Sequence, residues 1–238
     1  EADLYYRQRV AEGDLRVAVK KVPGGQFSTF VNEQLASGDV LDVMTPLGSF
    51  HTDLQPTQRK HYVAFAAGSG ITPVISLAKT TLETEPESHF TLFYGNRRTD
   101  SIIFKEELEA LKNKHLQRFS LHHLLTQEDP GIPLFHGRLT AEKCREICQR
   151  LLDVEDVDEF FICGPEAMME DIRATLLNLG VSFRNIHFEL FTSPVGKLGV
   201  AKNQWASTVA KTILAHVQVT LDGKTFAFDM PSAGDTIL

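Results

Sequence analysis

Four short stretches of this chain combine residue types that can handle a phosphate or a hydride. In "GSGITP", 68–73, Gly68 and Gly70 end an apolar run and allow backbone amides to approach an anion closely. A helix starting at that point adds partial positive charge, with Thr72 as its cap and Pro73 in its first turn. Pro73 stands where the three-glycine dinucleotide pattern has its last glycine, and a glycine-containing turn is also a common structural device. This loop alone therefore does not establish a nucleotide site.

The second stretch, "YGNRR", 94–98, ends another apolar run with Arg97 and Arg98, a fork suited to an anion such as the 2'-phosphate of NADPH. Two solvated arginines ahead of a helix would look the same. In "FFICGP", 160–165, Cys163 is expected at a strand's carboxyl end, facing whatever fills the crevice, with Gly164 and Pro165 leading into the next helix. Read singly, it could equally be an inert buried thiol. "GGQFS" places Gly24 and Gly25 in a loop and Ser28 at the start of a helix, either a second phosphate cradle or a plain turn with a serine cap. His122, His123 and His136 receive no role. Cys144 and Cys148, four apart on one helix face, read as small packed hydrophobes rather than half of a metal site.

These stretches need a scaffold, and the chain's periodicity supplies one. "HYVAFAAG", "FTLFYGN", "FSLHHLLTQ", "EFFICGP" and "NIHFELF" predict five strands. Between them, "TPVISLAKTTLETEP", "SIIFKEELEALKNKH", "TAEKCREICQRLL" and "EAMMEDIRATLLNLG" carry apolar residues at three- and four-residue spacing, which predicts helices. Strict alternation means an α/β, doubly wound, mostly parallel sheet, whose ligands bind beyond the carboxyl ends of its strands. Upstream, "DLRVAVKKV" and "GDVLDVMTPLG" read as strands at the end of an antiparallel β domain, with "PGGQFSTFVNEQL" as a turn and short helix. Residues 51–60 read as a linker. Downstream, "HVQVTLDGKTFAFDM" alternates around Asp222-Gly223 and predicts a hairpin that opens a third module.

A net charge of -7 offers no field for nucleic acid or anionic lipid. No apolar run approaches the ~20 residues of a membrane helix, and "EADLYYRQRV" lacks the apolar core of a secretory signal. With only three irregularly spaced cysteines, the expectation is a cytoplasmic protein without membrane or nucleic-acid partners.

Taken in order, "GGQFS", "GSGITP", "YGNRR", "HGR", "FICGP" and "FELF" resemble the ferredoxin-NADP reductase superfamily, over nearly the whole chain. That resemblance implies part of a flavin-binding antiparallel β-barrel in residues 1–55, an NADP-binding α/β domain in 60–191, a linker in 192–211, and the start of a β-grasp ferredoxin domain in 212–238. It implies that Gly24, Gly25 and Ser28 hold the FAD pyrophosphate. Gly68, Gly70, Ile71, Thr72 and Pro73 match the loop beneath the NADPH pyrophosphate and nicotinamide ribose, and Arg97, with Arg98 helping, matches the 2'-phosphate contact. Cys163, Gly164 and Pro165 match the segment beside the nicotinamide, and Glu189 and Phe191 the stretch against the flavin ring.

The implied activity passes hydride from NADPH to FAD, then single electrons through a [2Fe-2S] centre to the oxygenase subunits of a multicomponent monooxygenase. Two features depart from the family pattern. "YYRQRV" lacks the serine of the expected Arg-x-Tyr-Ser motif, and no Cys-x4-Cys-x2-Cys run is present to bind iron. Either the sequence is truncated at both ends or it joins parts of a longer protein; the abrupt text between Tyr5 and Glu12 favours the join, which an intact mass well above 26.6 kDa would support. The alternatives are a flavin-free NADP-dependent dehydrogenase, which would need an acid or base that no residue supplies, and a non-catalytic nucleotide or docking module.

Overall fold

The computed structural model describes residues 5–8, 15–19, 21, 23–42, 49–190, 214–221 and 224–231. The chain divides into two compact units, residues 1–194 and 195–238. In the first, strands β1 (Tyr5–Gln8) and β2 (Leu15–Ala18) pair antiparallel and helix α1 spans Gln26–Glu33. The strand expected in "GDVLDVMTPLG" is not found in its described part: residues 38–42 are turn and coil, and Val40 is 90% exposed. Alternation needs a neighbouring strand to bury one face, and no described strand takes up Val40.

All five predicted sheet strands form. They are β3 (His61–Ala67), β4 (His89–Asn96), β5 (Phe119–Leu125), β6 (Glu159–Gly164) and β7 (Ile186–Leu190). The predicted helices follow them as α2 (Ile71–Thr84), α3 (Lys105–Lys114), α4 (Ala141–Leu151) and α5 (Glu166–Asn178). The strands are all parallel in the order β5-β4-β3-β6-β7. After β3 the chain builds outward through β4 and β5, then returns to the other side of β3. The strand order thus reverses between β3 and β6, the switch point at which such sheets leave a crevice.

Alternate residues of β3 face two separate cores. Tyr62, Ala64 and Ala66 join Ile71, Val74 and Ile75 of α2 on one face, whereas Val63 and Phe65 join Ile147 of α4 and Ile172 of α5 on the other. Burial on both faces explains why the strands read as continuous apolar runs. Each fully buried Leu, Ile or Phe contributes roughly 1.5–3 kcal/mol, enough in sum to hold the loops at the strand ends in fixed places. Cys144 and Cys148 lie in the second core, as packed thiols.

Residues 51–60 are less of a free linker than expected. Phe50 packs edge-on against Phe161, the Thr52 hydroxyl donates to Glu159 at 2.9 Å, and the Gln55 amide donates to Glu85 at 3.0 Å. The second unit contains β8 (Leu214–Leu221) and β9 (Lys224–Pro231), antiparallel with Leu221 opposite Lys224. This register leaves a two-residue connection, as the hairpin reading requires. Asp222 and Gly223 themselves lie outside the described residues.

Candidate nucleotide-binding site

At the switch point the β3–α2 loop rests on the β6–α5 loop. Gly68–Gly70 form one 3-10 turn, and Gly68 adopts φ +54°, which favours glycine. A Cβ on Gly70 would lie 2.1 Å from the carbonyl oxygen of Cys163 and 2.9 Å from the Gly164 nitrogen. Backbone therefore meets backbone, and only glycine fits. Gly164 is less confined, since a Cβ there would stand 2.7 Å from the movable Met168 Cε and 3.3 Å from Ala67. Pro165 caps the next helix, α5. These separate sequence stretches thus form one rigid floor.

Helix α2 starts at Ile71, with Gly70 as its cap residue. Thr72 does not cap it, contrary to expectation. Its hydroxyl lies inside the first turn and donates back to the Ser69 carbonyl at 2.9 Å, while Pro73 occupies the first turn as predicted. The 3-10 turn shifts the helix start by two residues, which removes Thr72 from the cap position. Among the described residues, no group accepts from the amides at the start of the turn, which leaves them as donors at a helix start.

Arg97 and Arg98 follow β4 and are both exposed. They are not equivalent. Arg98 Nε stands 3.3 Å from Asp100, whereas no described group pairs with the Arg97 guanidinium. The turn between them and α3 is closed by Ser101, whose hydroxyl donates to the Arg98 carbonyl at 2.7 Å. Glu128, after β5, accepts from the Thr99 amide at 2.8 Å and its hydroxyl at 2.9 Å. Those bonds hold the Glu128 carboxyl below its usual range. Beside them lies an open cleft of about 780 Å³ lined by Arg98, Phe104, Lys105 and Glu128 among others. Phe104 has φ +58°, alone among the described non-glycine residues in that region. Sequence reasoning missed Asp100 and Glu128, although the acidic residues flanking the arginines were a visible signal.

Cys163 is the last residue but one of β6 and does not face an open crevice. Its side chain is fully buried in the α2-side core, because the loop carrying Gly70 closes over it. Its register partner on β7 is Glu189, half-buried at the same level of the sheet. Burial pushes the Glu189 carboxyl up. Phe191 lies outside the described residues.

Gly24, Gly25 and Ser28 gather at the start of α1. Gly24 adopts φ +79°, and an added Cβ there would meet none of the described residues within 4 Å, which suits close approach of a phosphate. Ser28 is fully buried and its hydroxyl stands 3.5 Å from the Gly25 carbonyl, so it braces the loop from beneath. Among the described residues, no three His, Cys, Asp or Glu side chains group as a metal site.

Residues 65–174 match the family model of the oxidoreductase NAD-binding domain. The chain contains a ferredoxin-NADP reductase-like NAD-binding domain. Around this NAD-binding domain the chain is 44% identical over 182 residues to a subunit of the 1,2-phenylacetyl-CoA epoxidase of Escherichia coli K12, covering 76% of this chain and 51% of that protein. It is 32% identical over 218 residues to the ferredoxin reductase component of a 3-ketosteroid-9-alpha-monooxygenase from Rhodococcus rhodochrous, covering 91% and 58%. The chain thus spans about half the length of the curated relatives it matches.

In fold, it resembles the cytochrome b5 reductase domain of Ulva prolifera nitrate reductase, with a TM-score of 0.61 at 24% identity over 79% of this chain and 84% of that one. A ferredoxin-NADP+ reductase mutant from Plasmodium falciparum, with 2'P-AMP, gives 0.63 at 19% identity over 79% and 76%. These likenesses concern the fold alone. Among the described residues, no helix is long and apolar enough to cross a membrane.

Proposed function

We propose that this protein is an NADPH-dependent flavin reductase that feeds a multicomponent oxygenase, specifically a phenylacetyl-CoA epoxidase of phenylacetate catabolism. The observation that carries the reading is the backbone contact of Gly70 on Cys163, which joins a nucleotide loop to the strand end beside it. Identity of 44% to a phenylacetyl-CoA epoxidase component supports the choice of oxygenase, and a second relative is named as a reductase component of a monooxygenase. The reductase of another aromatic-ring oxygenase is the next reading. A cytoplasmic setting fits both.

In this proposal the orphan amides of the 68–70 turn hold the NADPH pyrophosphate, and Arg97 binds the 2'-phosphate with a charge that no described group neutralises. Gly164 and Pro165 leave a flat backbone surface for the nicotinamide, with Cys163 as its packed floor and Glu189 alongside. Gly24, Gly25 and Ser28 would hold the FAD, whose chemistry is to accept a hydride pair and release electrons one at a time. The protein's own part is to orient the two rings and exclude water.

A [2Fe-2S] relay does not fit the cysteines present. Cys144 and Cys148 lie in one core and Cys163 in the other, on opposite faces of the sheet. These residues thus account for nucleotide binding and hydride delivery only. Absorbance bands near about 450 nm that bleach on mixing with NADPH in stopped flow are the expected result. A flavin-loaded protein that NADPH fails to reduce would sink the reading, and a protein that binds NADPH but no flavin would favour the dehydrogenase alternative.

A further inference from the structure

Tyr94 is assigned no part in the proposed function, yet it packs in the same core as Ile71 and Cys163 and reaches the 68–70 turn through one hydrogen bond. It lies near the end of the apolar run of β4, is fully buried in the α2-side core, and its hydroxyl donates to the carbonyl oxygen of Gly68 at 2.9 Å. A phenylalanine would fill the same space, so packing alone does not explain the hydroxyl. Burial pushes its ionisation above the ordinary tyrosine range, and it stays a neutral donor.

The bond has a directional consequence. In a trans peptide the C=O and the following N–H point in opposite directions. The Gly68 carbonyl also accepts from the Ile71 amide, and a carbonyl has lone pairs for both donors. Drawn toward a buried hydroxyl, this carbonyl turns the Ser69 N–H away from the core, toward the space beyond the strand ends. Gly68 at φ +54° has no side chain to hold that peptide plane, and both left- and right-handed backbone regions are open to it. Without the hydroxyl, only the Ile71 amide holds the 68–69 peptide, which can then tilt and draw the Ser69 amide back.

We infer that Tyr94 is a positioning residue whose hydroxyl fixes the 68–69 peptide so that the Ser69 amide meets the pyrophosphate of the nicotinamide nucleotide. The inference rests on the reading of the 68–70 turn as the pyrophosphate seat. Because NADH and NADPH share a pyrophosphate, Tyr94 serves both nucleotides equally. It therefore differs from Arg97, which would see only the 2'-phosphate.

The test is the full-length Tyr94→Phe protein, with dissociation constants for NADPH and NADH measured by titration, saturating flavin-reduction rates, and melting temperature. The expected result is a roughly three- to tenfold weakening of both nucleotides, the loss of one neutral hydrogen bond, with the saturating rate little changed. Arg97→Ala, measured beside it, weakens NADPH alone. Unchanged affinity for both nucleotides in Tyr94→Phe, with or without a lower melting temperature, overturns the inference while leaving the nucleotide site intact. Weakening of NADPH alone also overturns it, since that would place Tyr94 with the 2'-phosphate. A wild-type protein that binds neither nucleotide refutes the underlying reading and the inference with it.

Discussion

The two ends of the same five strands are built on opposite principles. At the amino end, charges are tied to one another. Glu159 accepts from Lys60 at 2.5 Å and from Thr52 at 2.9 Å, and His187 Nε2 stands 3.1 Å from its other oxygen. Nearby, the buried Glu85 carboxylate accepts from the Tyr62 hydroxyl at 2.9 Å, the Ser88 hydroxyl at 2.7 Å and the Gln55 amide. At the carboxyl end, beside the Arg98–Asp100 and Thr99–Glu128 contacts, stand groups that no described residue pairs, the amides of the 68–70 turn and the Arg97 guanidinium, with Gly70 pressed onto backbone. Satisfied polar groups stabilise a fold, whereas open donors held in place by glycine packing are suited to a ligand. Stability and binding are therefore separable in this sheet by strand end.

That separation can be broken by substitution, and the largest effect is expected at Gly70. In Gly70→Ala the new methyl meets the Cys163 carbonyl, so the loop must lift off the floor, and NADPH-driven flavin reduction should fall on the order of a hundredfold. A reduction rate equal to wild type would show that the loop contact is incidental. Arg97→Ala comes next: NADPH should weaken roughly tenfold or more, as for loss of a charge-assisted hydrogen bond, with NADH little affected. Equal weakening of both nucleotides would remove the 2'-phosphate role. Cys163→Ser should slow hydride transfer several-fold while flavin content, read from the visible spectrum, stays constant.

At the other end the expected effects fall on stability alone. Burial disfavours an ionised Glu159, but the hydrogen bonds from His187, Lys60 and Thr52 outweigh it and hold the carboxyl at about 2. A carboxylate depressed on folding adds stability above the ordinary value near 4.5 and loses it as the pH falls toward about 2. Denaturant titrations between about pH 5 and 3 should therefore show a steeper loss for wild type than for Glu159→Gln. At neutral pH, Glu159→Gln should cost roughly 1 kcal/mol, or about 2–4 °C in melting temperature, and leave nucleotide affinity unchanged. A Glu159→Gln protein with weakened NADPH binding would mean that the two ends are coupled after all.

The same division explains what was legible beforehand. Strands buried on both faces and amphipathic helices leave a periodic trace, so all five strands and four helices of the sheet domain could be placed from residue spacing. Gly70 and Arg97 stood out because several strand ends in order carried glycine, arginine and cysteine together, although none of them was decisive alone. What could not be read depends on contacts between distant stretches. Nothing local marks Tyr94 as the partner of Gly68, 26 residues earlier, whereas Asp100 beside Arg98 was in plain view. The polar text of 51–60 suggested a loose connection, whereas Thr52 and Gln55, with Phe50 just before them, dock on groups far along the chain. "GDVLDVMTPLG" carried a strand's alternation without a described neighbour to bury it.

The glycines at neighbouring strand ends also differ in how freely they could drift. At Gly95, near the end of β4, an added Cβ would find Leu139 at 3.5 Å and Ala66 at 3.7 Å, ordinary contact distances, and the backbone there needs no left-handed conformation. Gly70 has no such room, because its neighbour is main chain that no compensating side-chain change can shorten. In a saturation library selected for electron transfer, position 95 should accept alanine and serine while position 70 returns glycine alone. The distance between nucleotide loop and strand end is thus inherited as a missing atom, and second-site suppressors of a change at 70 would have to move a strand.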